Sequence, residues 1–227
     1  MNLRPMLKPH ILLVPLLFLS GCAAPGIKSE FDQEMDQLYR RLPSEMVWVD
    51  GMFQAWVEKW RVGHQARQYN WNLAELVRPP ETVENWTELL TLSTQYRTSK
   101  AYTYPGGATF TDVPDPVVVM EAFRAVMQER CAKPITFQRL DEDRTSPYPS
   151  VVFFISCERF ATGINPDLPE VQAHRMFQGR HAFYHTHRIR HASTLDQTTL
   201  DRWVQGLKAL YVCDNKVPGQ ECGKKKF

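Results

Sequence analysis

The alternation of apolar and polar positions divides the chain into segments of different period. Ser29 with Asp32 forms a capping-box pattern, after which Phe31, Met35, Leu38 and Leu42 recur at helical spacing until Pro43, predicting an amphipathic helix. From Met46 to Tyr96 the period shortens. Trp60 alternates with Val62, and Tyr69 with Trp71 and Leu73; "NWTELLTLSTQY" then follows Pro79-Pro80, so three strands are expected. Residues 97–113, with Pro105-Gly106-Gly107, read as a long loop. Asp115 before Pro116 is a helix start, and Met120, Phe123, Val126 and Met127 line one face of a helix ending near Cys131.

Ile135 and Phe137 open a strand, and a turn near Arg144 to Pro147 leads into "VVFFI", Val151 to Ile155. Because that run is apolar at every position, it predicts a strand covered on both faces. A loop over Thr162 to Glu170 and a strand around Phe183 to Ile189 follow. Thr198 with Asp201 is read as the cap of a last helix carrying Leu200, Trp203, Leu207 and Leu210. Helices do not alternate strictly with strands in this order. The expected class is therefore α+β, an antiparallel β-sheet flanked by helices.

The first 21 residues belong to a different pattern. Arg4 and Lys8 precede an apolar core from Ile11 to Leu19, the order of a secretory signal peptide. That core is far shorter than the about 20 residues a helix needs to span a bilayer. Leu19-Ser20-Gly21-Cys22 resembles the lipobox of bacterial lipoproteins, which implies cleavage before Cys22 and a diacylglycerol thioether on its sulfur. The resulting expectation is a lipoprotein signal peptide at 1–21, a lipidated tether at 22–28 and a single periplasmic α+β domain at 29–227. Ala23 is not the aspartate that favours inner-membrane retention in enterobacterial lipoproteins, so an outer-membrane anchor facing the periplasm is expected. The six residues from Ala23 to Lys28 reach only about 20 Å when extended, which keeps the domain close to the membrane.

Charge adds one exclusion. The formal net charge of +2 falls to zero when Arg4 and Lys8 leave with the signal peptide, so no nucleic-acid partner is expected. Lys224 to Lys226 form a short basic tail. With Cys22 spent on lipid, Cys131, Cys157, Cys213 and Cys222 remain, and an even number in an exported chain reads as two disulfides. Cys213 and Cys222 flank a Pro218-Gly219 turn, and Cys131 and Cys157 flank a hairpin that brings them within reach. These pairings are preferred to a zinc site, since no C-x-x-C pair is present.

Two stretches could carry chemistry. In "HAFYHTHRIRH" the period of two puts His181, His185, His187 and His191 on one strand face, and neighbours two apart lie roughly 7 Å from each other, close enough to share a metal. Phe183 and Ile189 share that face, however, and Arg188 and Arg190 add positive charge nearby, so packed or hydrogen-bonded histidines are the expectation. His185 and His187 are kept as the metal alternative. Glu81, Glu84 and Glu88 form a carboxylate set without a nucleophile beside it. With no G-x-S-x-G, Walker loop, G-x-G-x-x-G or H-E-x-x-H, no enzymatic activity and no cofactor are expected.

"ENWTELLTL", the capped helix leading to Cys131, the strand ending at Cys157 and "LDRWVQGLKALYVCD" resemble a group of uncharacterised proteobacterial envelope proteins and, more distantly, the PsbP/Mog1-like fold. That resemblance, over residues 57–214, implies a sheet flanked by helices and a role as an accessory or binding subunit. The expected function is a non-catalytic outer-membrane lipoprotein that binds an envelope protein partner, as in a secretion or conjugation assembly. Trp48, Trp56, Trp60, Trp71, Trp86 and Trp203 supply candidate contact residues for it. The alternative is a periplasmic carrier of a small ligand or metal.

Overall fold

The computed structural model describes residues 45–49, 59–68, 71–96, 102–103, 109–110, 112–161 and 167–222. The signal peptide, Cys22 with its tether, and the helix expected after Ser29 lie outside the described residues. So does the loop segment 162–166.

Seven strands form one antiparallel sheet. They are β2 (Arg61–Gln68), β3 (Trp71–Val77), β4 (Glu88–Tyr96), β7 (Thr136–Asp143), β8 (Ser150–Cys157), β9 (Glu170–Gln178) and β10 (Ala182–His191), in the order β2-β3-β4-β10-β9-β8-β7. Helix α1 (Pro116–Arg130) packs on one face and α2 (Gln197–Lys208) on the other. On the α2 side, β1 (Glu45–Val49) pairs with β11 (Leu210–Asp214) in a second small sheet; β5 (Tyr102–Thr103) pairs with β6 (Thr109–Phe110) in a third. The fold is α+β.

Both helices start where an aspartate accepts from an orphan backbone N–H. Asp115 accepts from Val117 N at 2.8 Å, with Pro116 pre-setting the first turn. For α2 the cap is Asp196, which accepts from Thr199 N at 2.9 Å; Thr198, expected as the cap, lies inside the helix. The difference is chemical: a carboxylate is the better acceptor at that position, and it sits two residues earlier. Leu210 is likewise the first residue of β11 and not part of α2. Arg175 ends the helix by donating from Nη1 to the carbonyls of Leu207 and Leu210, at 2.9 and 2.7 Å, which satisfies acceptors a helix end leaves open.

Two cores result. Between α1 and the sheet lie Val119, Met120, Met127, Val151, Phe153, Ile155, Met176 and Phe183. Between α2 and the opposite face lie Leu90, Phe154, Val171, Phe177, Trp203 and Leu207, among others. The apolar run of β8 is thus buried on both faces, as its composition predicts. Cys131, just past α1, is bonded to Cys157 at the end of β8, and Cys213 of β11 to Cys222. A strand absent from the sequence expectations, β9, lies beside β10 in the middle of the sheet. Gly179 begins the turn between them; a Cβ there would meet Glu45 Oε1 at 2.3 Å and the Ala182 carbonyl at 2.6 Å, so the close approach requires glycine.

Candidate functional site

The face of the sheet under α1 carries a row of polar residues through an apolar layer. The register sets Thr91 of β4 opposite His187 of β10, His187 opposite His174 of β9, and His174 opposite Phe153 of β8. His185 lies one step along β10, between Ser93 and Met176. His174, His185 and His187 each offer a ring nitrogen to a group whose members lie within 4.8 Å of one another. The rings are also stacked or tilted together, with centroids 4.8 to 5.2 Å apart. Phe153 stacks on His174 at 4.5 Å, and Phe123 of α1 covers His174 and His185 at 4.9 and 5.9 Å.

A hydrogen-bonded chain fixes the orientation of His174. Gln172 Nε2 donates to Glu170 Oε2 at 2.8 Å, which turns Gln172 Oε1 toward His174. His174 Nε2 must therefore carry the proton it donates to that oxygen at 3.0 Å, and its Nδ1 holds a lone pair. That Nδ1 lies 2.9 Å from His185 Nε2, which donates to it. His187 Nδ1 and Thr91 Oγ1, by contrast, are shut off from solvent with no hydrogen-bond partner among the described residues. Buried polar atoms of that kind cost on the order of 1–3 kcal/mol each.

Burial holds all three imidazoles neutral. His174 and His185 are held well below the ordinary imidazole range, by burial first and by the adjoining rings second, and burial pushes His187 down to about 4. An unfolded histidine protonates near about 6.5, so below that pH the unfolded chain binds more protons and folding weakens. Glu170 and Glu75, both raised by burial, act in the opposite sense, but His191, also lowered by burial, joins the three imidazoles against them. Urea unfolding of the metal-free protein should therefore show stability that is constant above pH 7 and falls between pH 6.5 and 4, by on the order of 1 kcal/mol per pH unit for each histidine. A flat profile over that window would mean that the rings are solvated.

The four-histidine series of β10 divides into different environments. His181 precedes the strand, in the turn, and is exposed, with its backbone N–H donating to Glu45 Oε1. His191 closes the strand and stacks on Trp86 at 3.9 Å. Only His185 and His187 enter the cluster, joined by His174, which the sequence reading omits because β9 was not expected there. The "MFQG" at its end, an apolar pair before a turn glycine, was the available signal. Arg188 and Arg190 do not crowd the cluster; alternation puts them on the opposite face, where both bind Glu88.

The carboxylates of the 81–88 stretch do not assemble into a site. Glu81 accepts from the Thr87 hydroxyl, Glu84 is exposed, and Glu88 is buried among Arg188, Arg190 and Arg78. Trp60 and Trp203 lie against arginines of that same cluster. With Trp86 on His191, these three tryptophans are engaged inside the domain.

What the triad can do follows from its donors. Two ligands about 2.0 Å from one ion with near-tetrahedral angles lie about 3.3 Å apart, within the 2.9 to 4.8 Å span of the nitrogens here. Converging them on one ion requires the rings to turn and His185 to carry its proton on Nδ1 in place of Nε2. No protein-family model and no curated protein matches this chain.

Proposed function

We propose that this chain is a lipid-anchored envelope protein that carries a transition-metal ion in the buried pocket of His174, His185 and His187. One observation carries the reading: three neutral imidazoles from adjacent strands present nitrogens within 4.8 Å of one another at a buried point where His187 Nδ1 has no hydrogen-bond partner among the described residues. Gln172, itself held by Glu170, supplies the outer hydrogen bond that fixes a ligating histidine's tautomer. The anchor on Cys22 and the outer-membrane location facing the periplasm rest on the lipobox-like "LSGC". The two disulfides suit an oxidising compartment.

The test is metal content of the mature chain, purified from membranes in detergent, stripped with chelator and reloaded. One ion per chain is expected, with stabilisation of about 3 to 4 kcal/mol when the ion is at 100 to 1,000 times its Kd. His187→Ala and, as a gentler change, His185→Gln should each lose the ion while keeping the far-UV circular dichroism of the parent. Equal metal content in these variants would reject the pocket.

A second reading, an accessory module bound to another envelope protein, is favoured by the sheet edges at β2 and β7, which pair with no further strand among the described residues and where most described side chains of β2 and half of those of β7 are exposed. Complementation of a deletion strain separates the two. Loss of function in the His185→Ala/His187→Ala chain supports the metal carrier; full function there, with loss in Cys22→Ala, supports the accessory module.

A further inference from the structure

Building on the metal reading, we infer that the ion is monovalent and soft, of the Cu(I) class, and that the thioether of Met176 joins the three imidazoles around it. The first argument is charge. The cluster consists of histidines alone, with no carboxylate or thiolate among its described members. Glu170, the acid at the end of the hydrogen-bonded chain, is separated from His174 by the Gln172 amide. Nothing in the donor set neutralises a cation. Solvation cost rises with the square of the charge, so a dication in this layer costs four times what a monocation costs.

Zinc sites of three histidines generally resolve that problem with a water or hydroxide in the fourth position. Here Phe123 and Phe153 cover the fully buried His174 and the buried His185, while His187 is part-buried with Thr91 opposite it. The aromatic side of the pocket disfavours a charged solvent ligand.

The second argument is softness. Met176 is the cross-strand partner of His185 on this same face and is fully buried. Cross-strand partners hold their Cβ atoms about 4.5–5.5 Å apart, so a flexible thioether stands within reach of the pocket. Met120 of α1 belongs to the same core cluster. Thioether sulfur selects Cu(I) over harder divalent ions, while imidazole accepts either. A pocket for Zn(II) alone gains nothing from the sulfur.

Silver(I) is the probe, because it has the charge and softness of Cu(I) and needs no reductant that would open the disulfides. The metal-free mature chain in detergent is loaded separately with Ag(I) and Zn(II), desalted, and analysed for bound ion, with affinities from competition. We expect one Ag(I) per chain, held at least 100-fold more tightly than Zn(II). Met176→Leu, which conserves volume, should weaken Ag(I) at least tenfold and leave Zn(II) unchanged. Zn(II) held as tightly as Ag(I), or Ag(I) affinity unchanged in Met176→Leu, overturns the assignment while leaving the three-histidine pocket standing. Failure to retain either ion overturns the pocket itself.

Discussion

Glu88→Gln should lower the unfolding free energy by about 3–5 kcal/mol, the cost of leaving a buried charge without its partner. Glu88 is 1% exposed and Arg188 3%, and Arg188 Nε donates to Glu88 Oε1. Arg190 and Arg78 reach the other carboxylate oxygen at 3.1 and 2.9 Å. Those two arginines are 33% and 45% exposed at the side chain, so water takes over much of their share when the carboxylate is lost. Arg188 has no such recourse. Its guanidinium is held between Trp60 and Trp203, with centroids 4.9 and 5.0 Å away, and burial lowers its pKa to about 10 against the pull of Glu88. Arg188→Met in the Glu88→Gln background should recover most of the loss by removing the stranded charge. Urea midpoints at constant m-value measure both changes. A Glu88→Gln chain within about 1 kcal/mol of the parent would show that Arg188 escapes to solvent.

The disulfides give the second large effect. Replacing Cys131 and Cys157 together with Ala should cost about 3–4 kcal/mol, and replacing Cys213 and Cys222 about 2–3 kcal/mol, because the loop closed in the unfolded chain is longer in the first case. The separations are 26 and 9 residues. The first bridge also ties the end of α1, whose Phe123 covers the histidines, to β8. Its loss should therefore loosen the pocket as well as the fold, raising hydrogen exchange along α1. If the shorter bridge proves the more stabilising, the unfolded-chain argument fails for this protein.

Features that depend on neighbouring residues were legible in the sequence. Asp115 followed by Pro116 and a 3.6-residue apolar period gives α1; a polar turn between apolar runs gives the β7–β8 hairpin; "VVFFI" gives a strand buried on both faces. The strand β9 was not legible, because Gln172, His174 and Arg175 interrupt its apolar pattern and their justification lies elsewhere in the chain. Gln172 is satisfied by Glu170 and His174, His174 by His185, and Arg175 by the end of α2. The start of β11 was hidden for a different reason, since Leu207 and Leu210 continue a helical spacing across the boundary. The site was accordingly half visible. Spacing on β10 identified His185 and His187 as a pair, but the third histidine of the cluster comes from a strand paired to it across a turn.

X-ray absorption at the edge of the bound metal, on the reloaded mature chain, tests the central claim most directly. Three nitrogen scatterers at about 2.0 Å, with the outer-shell signature of imidazole rings, are predicted whatever occupies the remaining position. A first shell dominated by oxygen, or fewer than three imidazoles, would contradict a metal held by His174, His185 and His187.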